Sequence, residues 1–549
     1  MRRIQLTPLL SLVALLAVAQ SAVAQHESHA HHSGGGWVPP EVLERPVPIR
    51  RGIGVLNDPV TTSSKNAQAF YNQGLAYLHS YVWIEAVRSF NQALRDDPNL
   101  AMAYLGLSYA YSGLEDDQNA RATFAKAQSM SSRAGERERR RIEIRGKQLE
   151  AFAEPASLSK HIEFRKAIDS ALAAWPDDAE LWLLRGNAEE SQPFGRGQRG
   201  GAATIAFYEA ALARVRDHFA AHHYLTHTYE TIGLADRALK HGEIYARLVP
   251  AVPHAQHMYG HDLRRVGRID EAIAQFEKTK QLEEAYFASE NIRPEMDWHY
   301  AHNLSLLATA YQYQGRMREC ETLLRRMWAL PKYTAYFGLW GKEWPEFLIG
   351  RGRAGEALAA AEEMTRSKWA AVRSVGHALA GSALLELKRP SDSAARLEEA
   401  KKELAQISGS GPLAVTPEMV RPYLDALRGE LLLREGKHDE GALVFQDVQR
   451  RVRAAHGADA WIQALFRLES MARIARDVGN WKLAEYTAKQ MLDHDASYAG
   501  TRYALALVAA HNAEKEVARR EFNAALKLWG SADADLAEPR QAREALKDR

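Results

Sequence analysis

A spacing of 34 residues constrains this chain more than any other feature. Phe70, Gly74, Tyr77, Ala86, Phe90 and Ala93 recur 34 residues on as Tyr104, Ser108, Tyr111, Ala120, Phe124 and Ala127, and Pro98 closes the first unit. In a unit counted from Ala67 these are positions 4, 8, 11, 20, 24 and 27, with the proline at 32. Each triplet advances by three and four residues, so each is one stripe along a helix, and a turn separates the two stripes. Small residues at positions 8 and 20 let the paired helices approach closely. Such a hairpin cannot bury its apolar stripe alone, so neighbouring hairpins must stack into a solenoid.

The frame continues downstream. Trp182, Gly186, Tyr208 and Ala211 fit a unit from Ala179 with extra residues around Gly195 to Gly201. Tyr229, Ala238 and Pro250 fit one from Phe219, and Gly260, Gly267, Ala272 and Phe276 fit one from Pro253. After an insertion, Ala308, Tyr311 and Gly315 restart the frame at Ala301. Gly352 with Ala357, Gly429 with Phe445, Gly479 with Ala484, and Ala518 with Phe522 mark weaker units, and Gly135 to Asp178 is a divergent one.

These residues resemble the tetratricopeptide repeat, of an exported bacterial type. The resemblance implies an all-α, right-handed superhelical solenoid of about 11–12 helical hairpins with a concave groove. The expected organisation is a solenoid over 67–408, a flexible break over 409–421, further hairpins over 422–532 and a polar tail over 533–549.

The chain opens with Arg2 and Arg3, an apolar run from Leu9 to Val18, and Ala22-Val23-Ala24, the layout of a secretory signal peptide over 1–24. The run is about ten residues, too short to span ~30 Å of hydrocarbon as a helix. Cleavage after Ala24 and a periplasmic or secreted destination are expected, with an uncleaved membrane anchor as the alternative; no later stretch is long and apolar enough to span. A tail over 25–36 follows, carrying His26, His29, His31 and His32 before Gly34-Gly35-Gly36. It suits either a solvated linker or unstructured metal capture. Pro39, Pro40, Pro46 and Pro48 predict an extended strap over 37–66.

Composition excludes several functions. Lys plus Arg (71) nearly balances Asp plus Glu (69), with no clustered basic field, so nucleic acid is not an expected partner. One cysteine excludes an intrachain disulfide and a thiolate cluster. Phosphate-binding, dinucleotide and Gly-x-Ser-x-Gly motifs are absent, as is His-Glu-x-x-His.

Ten of the 21 histidines lie between His218 and His302. The resemblance implies that positions 2, 5, 9 and 12 of each first helix line the groove; 5, 9 and 12 also share one helical stripe. His223, His227 and Glu230 occupy 5, 9 and 12 of the unit from Phe219. His254, His257 and His261 occupy 2, 5 and 9 of the next, with Arg264 at 12. His302 occupies 2 of the unit from Ala301, with His299 a turn earlier, and Glu190 is at 12 in the unit from Ala179. His222 and His241 fall off this face. An i, i+4 histidine pair can share an ion, with a third ligand from the adjacent helix. Six to eight candidate ligands, drawn from His223, His227, Glu230, His254, His257, His261, His299 and His302, exceed one tetrahedral ion's needs, which allows for two ions. Zinc or copper fits imidazole better than magnesium or calcium. Plain polar lining is the competing reading.

Three features flank this face. The insertion Asn291 to Tyr300 is a candidate lid bringing Asp297, Trp298 and His299 over the groove, or a plain connector. The loop Phe194 to Gly201 precedes a helix and offers amides and two arginines to an anion, or is simply flexible. Tyr333, Tyr336, Phe337, Trp340 and Trp344 either wall the groove or pack between hairpins. The mixed-sign run Arg133 to Arg145 reads as solvated ion pairs, and Cys320, at position 20, as a packed thiol.

Three functions compete. The first is an exported scaffold with a histidine-rich metal site in its groove, binding a peptide, a protein or a small anion. The second is a metal-dependent hydrolase or oxidoreductase with Glu230 or Glu190 as general base and Arg264 stabilising an anion. The third is an interaction scaffold without metal. Converging ligands with an open coordination position favour the enzyme; a wide groove with imidazoles beyond ~5 Å of one another favours the scaffold.

Overall fold

The computed structural model describes residues 37–190, 201–408, 415–455 and 458–547. The expected signal sequence over 1–24, the His26 to His32 tail, nearly all of the Gly195 to Gly201 loop and the centre of the expected 409–421 break lie outside the described residues. The helices are α1 (Pro40–Leu43), α2 (Lys65–His79), α3 (Trp83–Asp96), α4 (Ala101–Gly113), α5 (Asp117–Ser129), α6 (Glu136–Ala153), α7 (Leu158–Ala174), α8 (Ala179–Asn187) and α9 (Ala202–Arg214). They continue as α10 (Phe219–Thr231), α11 (Ala235–Leu248), α12 (Pro253–Arg265), α13 (Ile269–Glu290), α14 (Trp298–Tyr313), α15 (Met317–Ala329), α16 (Ala335–Trp340), α17 (Glu343–Gly350) and α18 (Ala354–Met364). The last are α19 (Ala370–Glu386), α20 (Pro390–Leu404), α21 (Pro417–Arg434), α22 (His438–Ala454), α23 (Ala458–Asp477), α24 (Trp481–His494), α25 (Ala499–His511), α26 (Lys515–Leu528) and α27 (Ala537–Lys547).

From α2 to α26, α16 apart, successive helices pack as antiparallel pairs, giving an all-α solenoid with twelve hairpins among the described residues, as the 34-residue frame demands. The signature positions do what their sizes require. Phe90 is fully buried, and a Cβ on Gly74 would lie 2.7 Å from its ring and one on Gly106 2.4 Å from it. The ring therefore fills a gap that exists only because both positions lack side chains. Cys320 is buried without a disulfide, and burial pushes its thiol well up, as its packing position implies.

Three boundaries differ from expectation. The strap contains one helical turn, α1, with Pro40 at its start where a missing N–H costs nothing. Helix α21 begins at Pro417, inside the expected break. The polar tail forms α27, which buries Pro539 and Ala542 against the last hairpin.

Long-range contacts close the solenoid on itself. The strap runs from Trp37, whose indole N–H donates to Met296 O at 3.1 Å, past Gly52, whose carbonyl accepts from Ala251 N at 2.9 Å, to Asp58, which accepts from Tyr71 Oη at 2.8 Å. At the other end Tyr313 Oη donates to Asp495 at 2.9 Å, Asp533 N donates to Gly315 O at 3.1 Å, and Arg351 pairs with Glu538 at 2.8 Å. First and last hairpins are thus both tied to the middle ones. Among the described residues no helix is long and apolar enough to cross a membrane.

Candidate metal centre

The first helices of three consecutive hairpins, α10, α12 and α14, carry the histidine stripe. Helical phase brings His223 and His227 to one level, His257 and His261 to another, and lets His254 and His302 complete two triads: His223, His227 and His254, then His257, His261 and His302. Within each triad one nitrogen per ring lies within 4.8 Å of the others. His223 Nε2 is 3.0 Å from His254 Nε2 and 3.1 Å from His227 Nε2, and His257 Nε2 is 2.8 Å from His261 Nε2. An ion ~2.0–2.1 Å from each nitrogen would set neighbouring nitrogens ~2.9 Å apart at right angles or ~3.3 Å apart in a tetrahedron; the two first-triad spacings fall in that range and the 2.8 Å contact just below it.

The other ring nitrogens fix the tautomers. His223 Nδ1 meets the His79 carbonyl at 2.7 Å, and a carbonyl only accepts, so the proton is on Nδ1 and Nε2 presents a lone pair. His257 Nδ1 donates likewise to Asn303 Oδ1 at 2.9 Å, the Asn303 amide being oriented by its own donation to Phe276 O at 3.1 Å. His261 Nδ1 donates to the Glu230 carboxylate at 3.3 Å. With Glu230 ionised, the two facing Nε2 atoms of His257 and His261 both carry lone pairs, a contact that a shared cation would relieve.

A proton is a poor candidate for that cation. Burial, reinforced by neighbouring histidines, holds His223, His254, His257 and His299 well below the usual imidazole range and brings His227 down to about 3. Burial pushes Glu230 up, against the opposing charges of His227, Arg265 and Arg264.

His299 stands outside both triads but touches one member of each, with ring centroids 4.9 Å from His254 and 4.5 Å from His257. Its Nδ1 is 2.6 Å from Glu283 Oε1 and its buried Nε2 has no hydrogen-bond partner. A carboxylate behind a histidine whose far nitrogen is bare is the arrangement that orients imidazole toward an ion. Glu230 takes the same place behind His261, outside both triads. Arg264 is buried with its guanidinium over Phe276, and Glu190 lies 3.5 Å from the Tyr208 hydroxyl, so neither belongs to a triad.

The Asn291 to Tyr300 insertion does reach this site. Asp297 caps α14 by accepting from His299 N at 2.9 Å, which fixes the helix start, while Trp298 stacks on His302 with centroids 6.0 Å apart. From the aromatic run, Trp340 stacks on His302 at 5.1 Å, whereas Trp344 packs between hairpins under Arg325. His222 and His241 meet Nδ1 to Nδ1 at 2.9 Å, away from both triads, and burial beside His222 and Lys240 takes His241 down to about 4.

Sequence reasoning missed the turn His79-Ser80-Tyr81 of the first hairpin. It covers the first triad: Tyr81 packs on His223, His254 and His227 with centroids 4.5, 5.2 and 6.0 Å away, and its carbonyl accepts from Trp298 Nε1 at 3.3 Å. Tyr81 holds φ of 59°, a left-handed backbone costly for an aromatic residue, and its buried hydroxyl has no hydrogen-bond partner. The mixed-sign run was also misread. Arg141 and Arg145 are buried, one turn apart on the inner face of α6. Alternation of sign along a helix looks like a solvated surface, and nothing local marks which face turns inward.

No protein family and no curated protein matches this chain. Among solved structures it is similar to a tetratricopeptide repeat protein from Parabacteroides merdae, at 12% identity over 59% of this chain and 98% of that one, with a TM-score of 0.33. It is also similar to yeast Tom70, at 12% identity over 88% of this chain and 95% of that one, with a TM-score of 0.32. Cut9 of the APC/C Cut9–Hcn1 hetero-tetramer gives 12% identity, 88% and 90% coverage and a TM-score of 0.29. All three scores fall below 0.5, and the tetratricopeptide-type fold rests on this chain's own helix pairs.

Proposed function

We propose that this is an exported tetratricopeptide-type solenoid that holds two transition-metal ions, zinc or copper, on adjacent three-histidine sites in its closed groove. The observation that carries the reading is the convergence of three ring nitrogens in each of two adjacent triads, with His257 Nε2 and His261 Nε2 2.8 Å apart. Neutral imidazoles suit these ions, and the depressed basicity of the cluster keeps them neutral near pH 7. The test is elemental analysis of the secreted, purified protein lacking the His26 to His32 tail, alone and with His223→Ala plus His257→Ala. Near two ions per chain are expected, falling below 0.2 in the double variant. Equal metal content in both proteins would overturn the reading.

Three nitrogens per ion leave a coordination position open, and this favours a second reading, a metal-dependent hydrolase or oxidoreductase, over a passive store. The imidazoles converge well inside 5 Å and are mostly buried beneath Tyr81 and Trp298, so an extended peptide lying along this stretch of groove is disfavoured. Partner proteins would then use other faces of the solenoid.

A further inference from the structure

Tyr81 also lines a partly open cavity of about 130 Å³ between α2, α3, α4, α6, α8 and α10. A ~150 Å³ apolar cavity in another protein accepts benzene, and this slightly smaller space, open on one side, is of the size of a single ring. Leu75, Phe90, Leu105 and Tyr109 supply apolar and aromatic walls. Three charged side chains reach it. Arg141 is neutralised by Asp58 at 2.6 Å. The Glu180 carboxylate is held by His79 Nε2 at 2.8 Å and His218 Nε2 at 3.2 Å.

Arg145 is the exception. It is 1% exposed, and its guanidinium donates to Ser108 Oγ, Ser108 O, Ser112 Oγ and Gln148 Oε1, all neutral oxygens. Among the described residues it makes no ion pair; its guanidinium lies over the Tyr109 ring, 4.2 Å from the centroid. Burial lowers its pKa to about 10. Four of its five N–H groups are thereby held rigidly, and one on Nη1 is left for another acceptor. A buried cation fixed in place without a counter-charge, beside an aromatic-walled cavity, is a receptor for an anion carried on a ring.

We infer that this cavity binds a small single-ring aromatic carboxylate, its carboxylate directed to Arg145 and its ring against the Leu75, Phe90 and Leu105 walls, with Tyr81 as the wall shared with the histidine cluster. This inference stands independently of metal loading, because none of its contacts passes through the triads.

The probe is benzoate, titrated calorimetrically into the full mature protein, both metal-loaded and chelator-stripped, with benzamide as the neutral counterpart. Benzoate is expected to bind both forms with Kd values within threefold of each other, and benzamide at least tenfold more weakly. Arg145→Met should weaken benzoate at least tenfold, and Leu78→Trp, which fills the cavity from its rim, should abolish binding while leaving metal content and the far-UV circular dichroism unchanged. No binding by folded wild-type protein, equal affinity for benzamide, or wild-type affinity in a folded Leu78→Trp variant would each overturn the inference. Binding lost only on stripping would overturn it too, since the carboxylate would then be sitting on the ions. Metal content measured on the same samples reports separately on the two-ion reading.

Discussion

His257 and Asn303 are joined by a 2.9 Å hydrogen bond that decides which nitrogen of the imidazole faces His261. Because the Asn303 amide is itself anchored to Phe276 O, the ring can neither flip nor change tautomer without losing two buried bonds. Removing a partner of this kind commonly lowers metal affinity about 10–100-fold. Asn303→Ala is therefore expected to weaken the second site by that factor and spare the first, as measured by titration against a calibrated chelator. An unchanged affinity at both sites would contradict the assigned tautomer.

Acid should destabilise the metal-free protein from pH 6.5 downward. His223, His227, His254, His257 and His299 all have depressed basicity in the fold, so below pH 6.5 the unfolded chain binds protons the folded chain refuses. Stability then rises with pH in that window, by up to about 1.4 kcal/mol per histidine per pH unit. Thermal melts of stripped protein between pH 7 and 5 should show a steep fall in Tm. A flat profile would mean that the cluster is already protonated or hydrated in solution.

Tyr81→Phe removes a buried hydroxyl that has no hydrogen-bond partner. The variant is expected to match or exceed wild-type stability by up to about 1 kcal/mol, since nothing is lost and a desolvated group is relieved. A loss above about 2 kcal/mol in a denaturant titration would show that the hydroxyl has a partner in solution.

Gly106→Ala places a methyl 2.4 Å from the Phe90 ring. Overpacking of this kind costs about 1–3 kcal/mol. A matching drop in denaturation midpoint is expected, rescued in part by Phe90→Leu. Additive effects of the two changes would argue that they do not share one space.

The hairpins and the histidine stripe were legible because both depend on the 3.6-residue period of single helices. Position within the repeat was enough to put His223, His227, His257 and His261 on one face, and to exclude His222 and His241. What sequence could not supply was anything set by the superhelix turning through space. Tyr81 is more than 140 residues from His223, Glu283 lies on the second helix of its hairpin, and Arg145 looked like one of many surface arginines. Each acquires its meaning only when distant hairpins meet.

Open solenoids fold as a row of neighbours, where any segment can nucleate and loss of an end leaves the rest intact. The links from Trp37 to Met296 and from Tyr313 to Asp495 replace that row with a loop. Contacts spanning 259 and 182 residues add long-range pairings that a row of stacked repeats lacks and couple the ends to the middle hairpins. Tyr81 waits for His223, His254 and Trp298 to be made before it can seat, so the cover over the first triad assembles only after more than half of the chain exists.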